Sequence, residues 1–345
     1  MPAETPYPFL AACRRERVPF TPVWLMRQAG RYMKEYRAFR EKYSFLEMCK
    51  TPELAARITL MPVDQFGVDA AIIFADILLP LEGMGIELRF SEGEGPVVDT
   101  PVRSEEDIER LRVFEPHEDV PFVLDAIGQV RKELEGRVPL IGFSAAPFTL
   151  ASYLVEGGRS RSFVRTKTLM YQNPAAWHRL METLTRVTTR YVRSQVEAGA
   201  QAIQVFDTWV GSLGPADYEA FVLPYLRQVF QGLGLDVPLI HFATNTSGIL
   251  GLMREAGGDV IGLDWRIDLG KAWNEIGHNV GVQGNLDPAV LLAPPQKIRE
   301  AVRSILAAAG NRPGHIFNLG HGVLPDTPVD HVRIMVDSVH EISQR

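Results

Sequence analysis

Four arginines, Arg27, Arg31, Arg37 and Arg40, lie in the segment PVWLMRQAGRYMKEYRAFR from Pro22 to Arg40, with Tyr32, Tyr36 and Phe39 among them. A guanidinium stays charged and offers a planar fork of donors that matches a carboxylate. Several on one loop–helix segment suit a ligand rich in carboxylates. The alternative is a solvated helix face, which fits Arg37 and Arg40 better than Arg27 and Arg31, since RQAGR directly follows an apolar run. Asp76 closes another such run, IIFAD. An acid there is costly unless something partners it. It either accepts neighbouring backbone N–H groups or faces a cationic or N–H-rich ligand. Tyr153, in GFSAAPFTLASYLVEG, either donates to a ligand carboxylate or packs in the core with its hydroxyl wet. His321, between glycines in NLGHGV, suits an acid, a hydrogen-bond donor or a metal ligand. No His, Cys and Glu set at zinc spacing accompanies it, which argues against metal.

The elements that must position these groups are short apolar runs separated by helical stretches. The runs expected as strands are Pro22–Met26, Ala70–Asp76, Pro139–Ser144, Ala202–Thr208, Pro238–Thr244, Val260–Trp265, Val280–Leu286 and His315–His321. Continuous hydrophobic runs such as AAIIFAD and AIQVFD mark strands buried on both faces of a parallel sheet. Thr51-Pro52-Glu53 opens a helix with a cap, and Ser104 to Asp107 resembles a capping box. Further helices run from Pro174 to Ala198 and from Pro294 to Ala309, each stopped by a glycine. Gly85 to Val102 reads as an inserted hairpin. Eight strands with intervening helices predict an α/β fold, a (β/α)8 TIM barrel over residues 1–345 as a single domain. A doubly wound sheet is the alternative, but no GxGxxG follows the first strand. In a barrel the site gathers at the C-terminal strand ends, where Arg27, Asp76, Ser144, Asp207, Thr208, Asp264, Asn285 and His321 fall.

Bulk properties narrow the class. The 345 residues are 46% hydrophobic and 23% charged, with a formal charge of −6 that argues against general nucleic-acid binding. The N-terminus lacks a signal-peptide pattern and no apolar run is long enough for a membrane span, so a cytoplasmic protein is expected. Cys13 and Cys49 read as small buried hydrophobes.

Two of these segments, RQAGR after a Pro-x-Trp-x-Met strand and GFSxxPFTLxxYxxEG, resemble the signatures of the uroporphyrinogen decarboxylase family. Asp76, Thr208 in FDTWVGSLGP and His321 match further family positions in order, over roughly residues 5 to 342. Thr208 stands where many members carry serine, and Arg161 in EGGRSRSF where lysine is frequent; hydroxyl and charge are kept. The resemblance implies a homodimeric (β/α)8 barrel and a cofactor-free carboxy-lyase of porphyrin and haem biosynthesis. Its substrate would be a reduced tetrapyrrole, uroporphyrinogen III, whose four acetates become the methyls of coproporphyrinogen III. Asp76, Arg27, Tyr153 and His321 would be catalytic, Asp76 by accepting pyrrole N–H groups and stabilising a ring cation. Arg27, Arg31 and Arg40 would hold carboxylates. Gln28, Ala29, Gly30, Tyr36 and Thr208 complete the implied binding set. For the proton donor, His321 or a relayed water fits better than Arg27 on pKa grounds. A corrinoid-dependent methyltransferase of the same superfamily is the nearest alternative. It needs a zinc site with cysteine near the late strands, whereas both cysteines here fall before residue 50. A non-catalytic tetrapyrrole carrier would explain the arginines but not Asp76.

Overall fold

The computed structural model describes residues 7–91, 95–234 and 236–345. Among the described residues nine strands form: β1 (Ala71–Ile72), β2 (Leu88–Ser91), β3 (Gly95–Val98), β4 (Leu140–Ala145), β5 (Ala202–Asp207), β6 (Leu239–Ala243), β7 (Val260–Gly262), β8 (Gly281–Gln283) and β9 (His315–Ile316). Seven make one parallel sheet in the order β1-β4-β5-β6-β7-β8-β9, while β2 and β3 pair as the expected antiparallel hairpin, whose residues 92–94 lie outside the described set. The sheet order follows chain order without the reversal that defines a doubly wound sheet. With right-handed crossovers, the connecting helices then all fall on one side and the sheet curls.

The first expected strand is the main correction. Pro22–Met26 forms no regular strand, only a parallel bridge from Val23 to Phe317. Pro22 has no N–H, and three of the next four backbone N–H groups go to side chains. Val23 donates to Asp69 Oδ2 (2.7 Å), Leu25 to Gln28 Oε1 (3.1 Å) and Met26 to Asn318 Oδ1 (3.2 Å). Trp24 N–H alone reaches a carbonyl, that of Phe317, at 3.3 Å. The segment still touches both sheet edges, since Phe317 N–H donates to Pro22 O and Asp69 N–H to Val23 O. The observed sheet therefore has seven strands and an irregular stave beside them. Strands β1, β7, β8 and β9 are also shorter than the apolar runs that announced them, which continue as loops at the C-terminal rim.

Helix boundaries follow their punctuation. Ser104 and Asp107 close a capping box, Asn173 caps the helix Pro174–Glu197 through Ala176 N–H, and left-handed Gly310 ends Pro295–Ala309. Thr51 occupies the N-cap of the helix Pro52–Phe66, but its hydroxyl makes no capping bond. Among the described residues, no helix is long and apolar enough to cross a membrane. Both cysteines are buried and free.

Alternate strand residues serve two cores, as a period of two requires. Trp24, Met26, Ile141, Ala202, Ile240, Phe242, Val260 and Ile316 fill the concave side. Ile203, Val205, Ala243, Ile261 and Val282 pack against the helices. A polar chain crosses the concave core: Trp24 Nε1 donates to Gln283 Oε1 (2.9 Å), and Gln283 Nε2 to Gln204 Oε1 (2.8 Å). All three are buried, so removing the first donor strands an acceptor. Trp24→Phe should lower unfolding free energy by about 1–3 kcal/mol beyond any packing loss. Chemical denaturation measures this; a variant as stable as the native chain would show that the polar chain does not tie residues 22–26 to the sheet.

Candidate active site

Arg27 is positioned by the irregular stave that precedes it. The turn after Met26 is held by Gln28, whose side-chain oxygen accepts from Leu25 N–H while its Nε2 donates to Ala70 O at 3.2 Å. Its backbone carbonyl accepts from Tyr32 Oη at 2.5 Å. Gln28 is buried, and its amide is spent on the turn, so this member of the expected binding set positions its neighbours. The same turn puts Arg27 in the left-handed region, φ 57°. A non-glycine residue adopts that conformation only where its surroundings dictate it. One determinant is the loop after β9: Val323 N–H donates to Met26 O at 3.0 Å, docking residues 321–323 against the stave. A Cβ on Gly322 would lie 2.5 Å from Arg27 Cδ and 2.7 Å from Cγ, so glycine is what leaves room for the arginine stem.

Arg27, Asp76, Tyr153 and His321 converge. Arg27 is solvent-accessible, yet burial is the first cause that lowers its pKa, and the Arg159 charge is the second. Both hold for a side chain that reaches solvent while protein surrounds it on its other sides. The charge of Asp76 and the Tyr153 hydroxyl act on it in the opposite sense. Asp76 is half-buried and accepts from Leu78 N–H at 2.8 Å. Burial pushes its pKa up to about 6, against the pull of that hydrogen bond and of Arg27. Tyr153 is buried on the helix Pro147–Glu156, its ring edge-on to Trp209 at 6.0 Å. Burial, then Asp76, raises its pKa, so it stays a phenol and a donor. Thr208 is half-buried at the end of β5, immediately before Trp209, and its carbonyl accepts from Thr244 Oγ1.

His321 is half-buried, and its pKa falls to about 4, first by burial, then by the charges of Arg27 and Arg266. Its Nδ1 accepts from Gly322 N–H at 2.8 Å. A backbone N–H can only donate, so Nδ1 is the acceptor and the proton of the neutral ring sits on Nε2. His321 thus offers one N–H and is not an imidazolium acid, contrary to the advantage in pKa expected for it as proton donor.

The rest of the arginine segment divides. Arg31 is exposed, and its charge reaches Arg27 and Tyr36. Tyr36 is buried with Arg40, Arg31 and Arg27 all acting on its hydroxyl. Arg40 acts on Tyr36 and Cys49 but does not figure among the groups that shift Arg27, which sets it further back. Arg37 Nη1 donates to the carbonyls of Arg31 and Tyr32, so it braces the turn. Ala29 and Gly30 are half-buried along it.

Several polar strand ends belong to the scaffold. Ser144 Oγ donates to Ala145 O, and Asn285 Nδ2 donates to the carbonyls of Asp264 and Ile267. Asp264 pairs with Arg266 at 2.6 Å and accepts from Asn245 N–H. Asp207 is fully buried. Conversely, the sequence offered no reason to single out Arg159 over Arg161, nor Trp209, nor Arg266, which stacks over Trp265 at 3.9 Å beside His321.

A family model described as uroporphyrinogen decarboxylase (URO-D) matches residues 5–342. A curated uroporphyrinogen decarboxylase from Carboxydothermus hydrogenoformans is 60% identical over 336 residues, covering 97% of this chain and 96% of its own. One from Chloroflexus aurantiacus is 57% identical, covering 96% and 94%. Among solved structures, a methyltransferase from Methanosarcina mazei superposes with a TM-score of 0.82 over 97% of each chain at 22% identity, a likeness of fold. With that near-complete match, and with the cleft residues falling in the family's motifs, this chain belongs to the uroporphyrinogen decarboxylase family.

Proposed function

We propose that the chain decarboxylates uroporphyrinogen III to coproporphyrinogen III, as a cytoplasmic homodimer without a cofactor. We read residues 1–345 as a single domain, with residues 22–26 closing the seven-stranded sheet into a (β/α)8 barrel. The observation that carries this reading is Asp76, the carboxylate that acts on Arg27, while the other charges acting on Arg27, those of Arg159 and Arg31, are cationic.

An acetate carbanion beside an electron-rich pyrrole is a poor intermediate, and the pyrrole itself serves as electron sink. Protonation of the pyrrole α-carbon next to the carbon bearing the acetate makes an iminium cation conjugated to that acetate-bearing carbon. The C–CO2 bond then breaks, its electrons neutralise the ring, and an exocyclic methylene remains. Protonation of that methylene gives the methyl, and the ring carbon returns its proton. Each acetate carboxylate thus consumes one net proton and releases one CO2. Asp76, ionised above about pH 6, accepts pyrrole N–H bonds and attracts the ring more strongly as positive charge develops. Arg27 and Arg31 hold carboxylates, with Arg40 in support. Tyr153, Thr208 and neutral His321 supply hydrogen bonds, and Ala29, Gly30 and Tyr36 line the turn. The lowered pKa of Arg27 makes it a less reluctant acid than an ordinary guanidinium, and a water between it and the ring is the remaining route for the proton.

Purified protein dialysed against EDTA should convert uroporphyrinogen to coproporphyrinogen, followed by chromatography of the oxidised porphyrins. Activity that appears only on adding a metal or coenzyme would defeat the cofactor-free mechanism.

Asp76→Asn should lose about 10²-fold or more in rate. Because the folded pKa of Asp76 is raised, its carboxylate is present above about pH 6 and disappears as pH falls through that value. The native kcat/KM should fall along that limb, and the Asn variant should lack it. An acid with a raised folded pKa destabilises the native state at pH values above it, so Asp76→Asn should melt no lower than the native chain at pH 7. Near-native turnover by the folded variant would make Asp76 structural.

Gly322→Ala, whose Cβ would displace the Arg27 stem, should reduce kcat/KM about tenfold or more through that misplacement while the circular dichroism spectrum is kept. Native kinetics in this variant would show that the placement of Arg27 is unimportant.

A further inference from the structure

The inserted hairpin has no part in the chemistry described so far, and its placement bears on one exposed arginine. Arg159 follows the helix Pro147–Glu156 across two glycines, Gly157 at φ 86° and Gly158 at φ 156°. The hairpin is pinned to this turn, for Val98 N–H donates to Gly157 O at 3.0 Å. A Cβ on Gly158 would stand 3.2 Å from Pro96 O, so a bare backbone permits the approach. A Cβ on Gly95 would stand 2.9 Å from Arg159 Nε and 3.0 Å from Cζ. The guanidinium therefore rests on the backbone of β3 at Gly95, where a side chain would push it aside. Tyr153 lies on the helix that leads into this turn.

We infer that Arg159, seated on Gly95 just past the helix that carries Tyr153, anchors a propionate of the tetrapyrrole, on the same pyrrole whose acetate is being removed. This rests on the decarboxylase reading for its choice of ligand. Among the described residues no carboxylate forms an ion pair with Arg159, whereas its charge falls on Arg27 and Tyr153. Two cations facing one cleft repel each other, and an anionic ligand relieves that cost. The repulsion is felt at Arg27, whose pKa it lowers.

The choice of propionate over acetate follows from depth and chemistry. Asp76 is half-buried and Arg27 acts on it, so the reacting ring carbon must lie against this pair. Arg159 is exposed, whereas Tyr153 on the preceding helix is buried. On each pyrrole the acetate and propionate occupy adjacent carbons, and the propionate is longer by one methylene. A ring placed with its acetate against half-buried Asp76 thus leaves the longer neighbour to reach an exposed cation. Propionates also survive all four decarboxylations, so a propionate anchor works in every turnover, while an acetate anchor would lose its ligand as the reaction proceeds.

Coproporphyrinogen keeps only propionates and is not consumed, which separates binding from turnover. Under anaerobic conditions its titration can be followed by tryptophan fluorescence, Trp209 standing against Tyr153. Arg159→Ala should weaken coproporphyrinogen binding about tenfold, the scale of one exposed charge-assisted hydrogen bond, with Arg159→Lys in between. The KM for uroporphyrinogen should rise by a similar factor, with kcat changed less than about twofold. Unchanged coproporphyrinogen binding overturns the proposal, whether KM stays put (a solvated rim) or rises (an acetate anchor). If the native chain binds coproporphyrinogen through Arg159 but never decarboxylates uroporphyrinogen, the decarboxylase reading fails and the anchor stands. If it decarboxylates normally and Arg159→Ala binds as the native chain does, the anchor alone fails.

Discussion

The backbone of residues 22–26 must be satisfied without a ladder, and the mouth of the barrel-like sheet is organised around that requirement. Asp69, Gln28 and Asn318 supply the acceptors that neighbouring strands would otherwise provide. Because these acceptors are side chains, the chain is free to leave the sheet direction at Met26. It does so through the Gln28 turn, with Arg27 in a left-handed conformation that a continuing strand would forbid. The loop after β9 locks this arrangement from the other side, through Val323 N–H on Met26 O and the missing Cβ of Gly322. This irregular stave is what brings Arg27 beside Asp76, Tyr153 and His321.

Charge balance in the cleft follows from that geometry. Asp76 is the carboxylate facing Arg27, and burial resists its ionisation more than Arg27 assists it. The anion is therefore held at some cost to the fold, which is the usual relation between a reactive group and its scaffold. His321, pressed by Arg27 and Arg266, gives up its charge and contributes a neutral N–H. The site thus combines a half-buried anion, the cations Arg27, Arg31 and Arg159, and the neutral donors Tyr153 and His321. On the reading proposed above, such a set would stabilise positive charge on a bound ring more than the neutral ring.

Around this cleft lies a second tier of polar residues that resembles catalytic machinery and acts as a frame. Asp264 joins Arg266 and the Asn245 backbone, and Asn285 joins the loop carbonyls after β7. Asp207 and His241 are fully buried in the sheet–helix layer, 3.9 Å apart, with Thr149 Oγ1 on the acid. They sit beneath the strand end on which Thr208 and Trp209 are carried.

How much of this was legible in the sequence depends on the range of the forces involved. Seven of the eight strand positions, the hairpin and the helix stops are local consequences of apolar runs, caps and glycines, and they appear where those signals stand. Tyr153 is favoured as a site residue only by the family resemblance, but Arg27, Asp76 and His321 could be singled out from residue type and context. Three things could not. The irregularity of residues 22–26 arises from Asp69 and Asn318, acceptors 46 and 292 positions away, which no local pattern announces. The role of Gln28 in holding a turn, and the neutral tautomer of His321, depend on which backbone groups come within reach once the chain has folded. Arg159 and Arg161 are alike as letters in EGGRSRSF. Only the packing of Gly95 beneath one guanidinium, and the proximity of that charge to Arg27, tells them apart. Residue type determined which chemistry was possible, and burial and long-range hydrogen bonding decided which groups were left free to perform it.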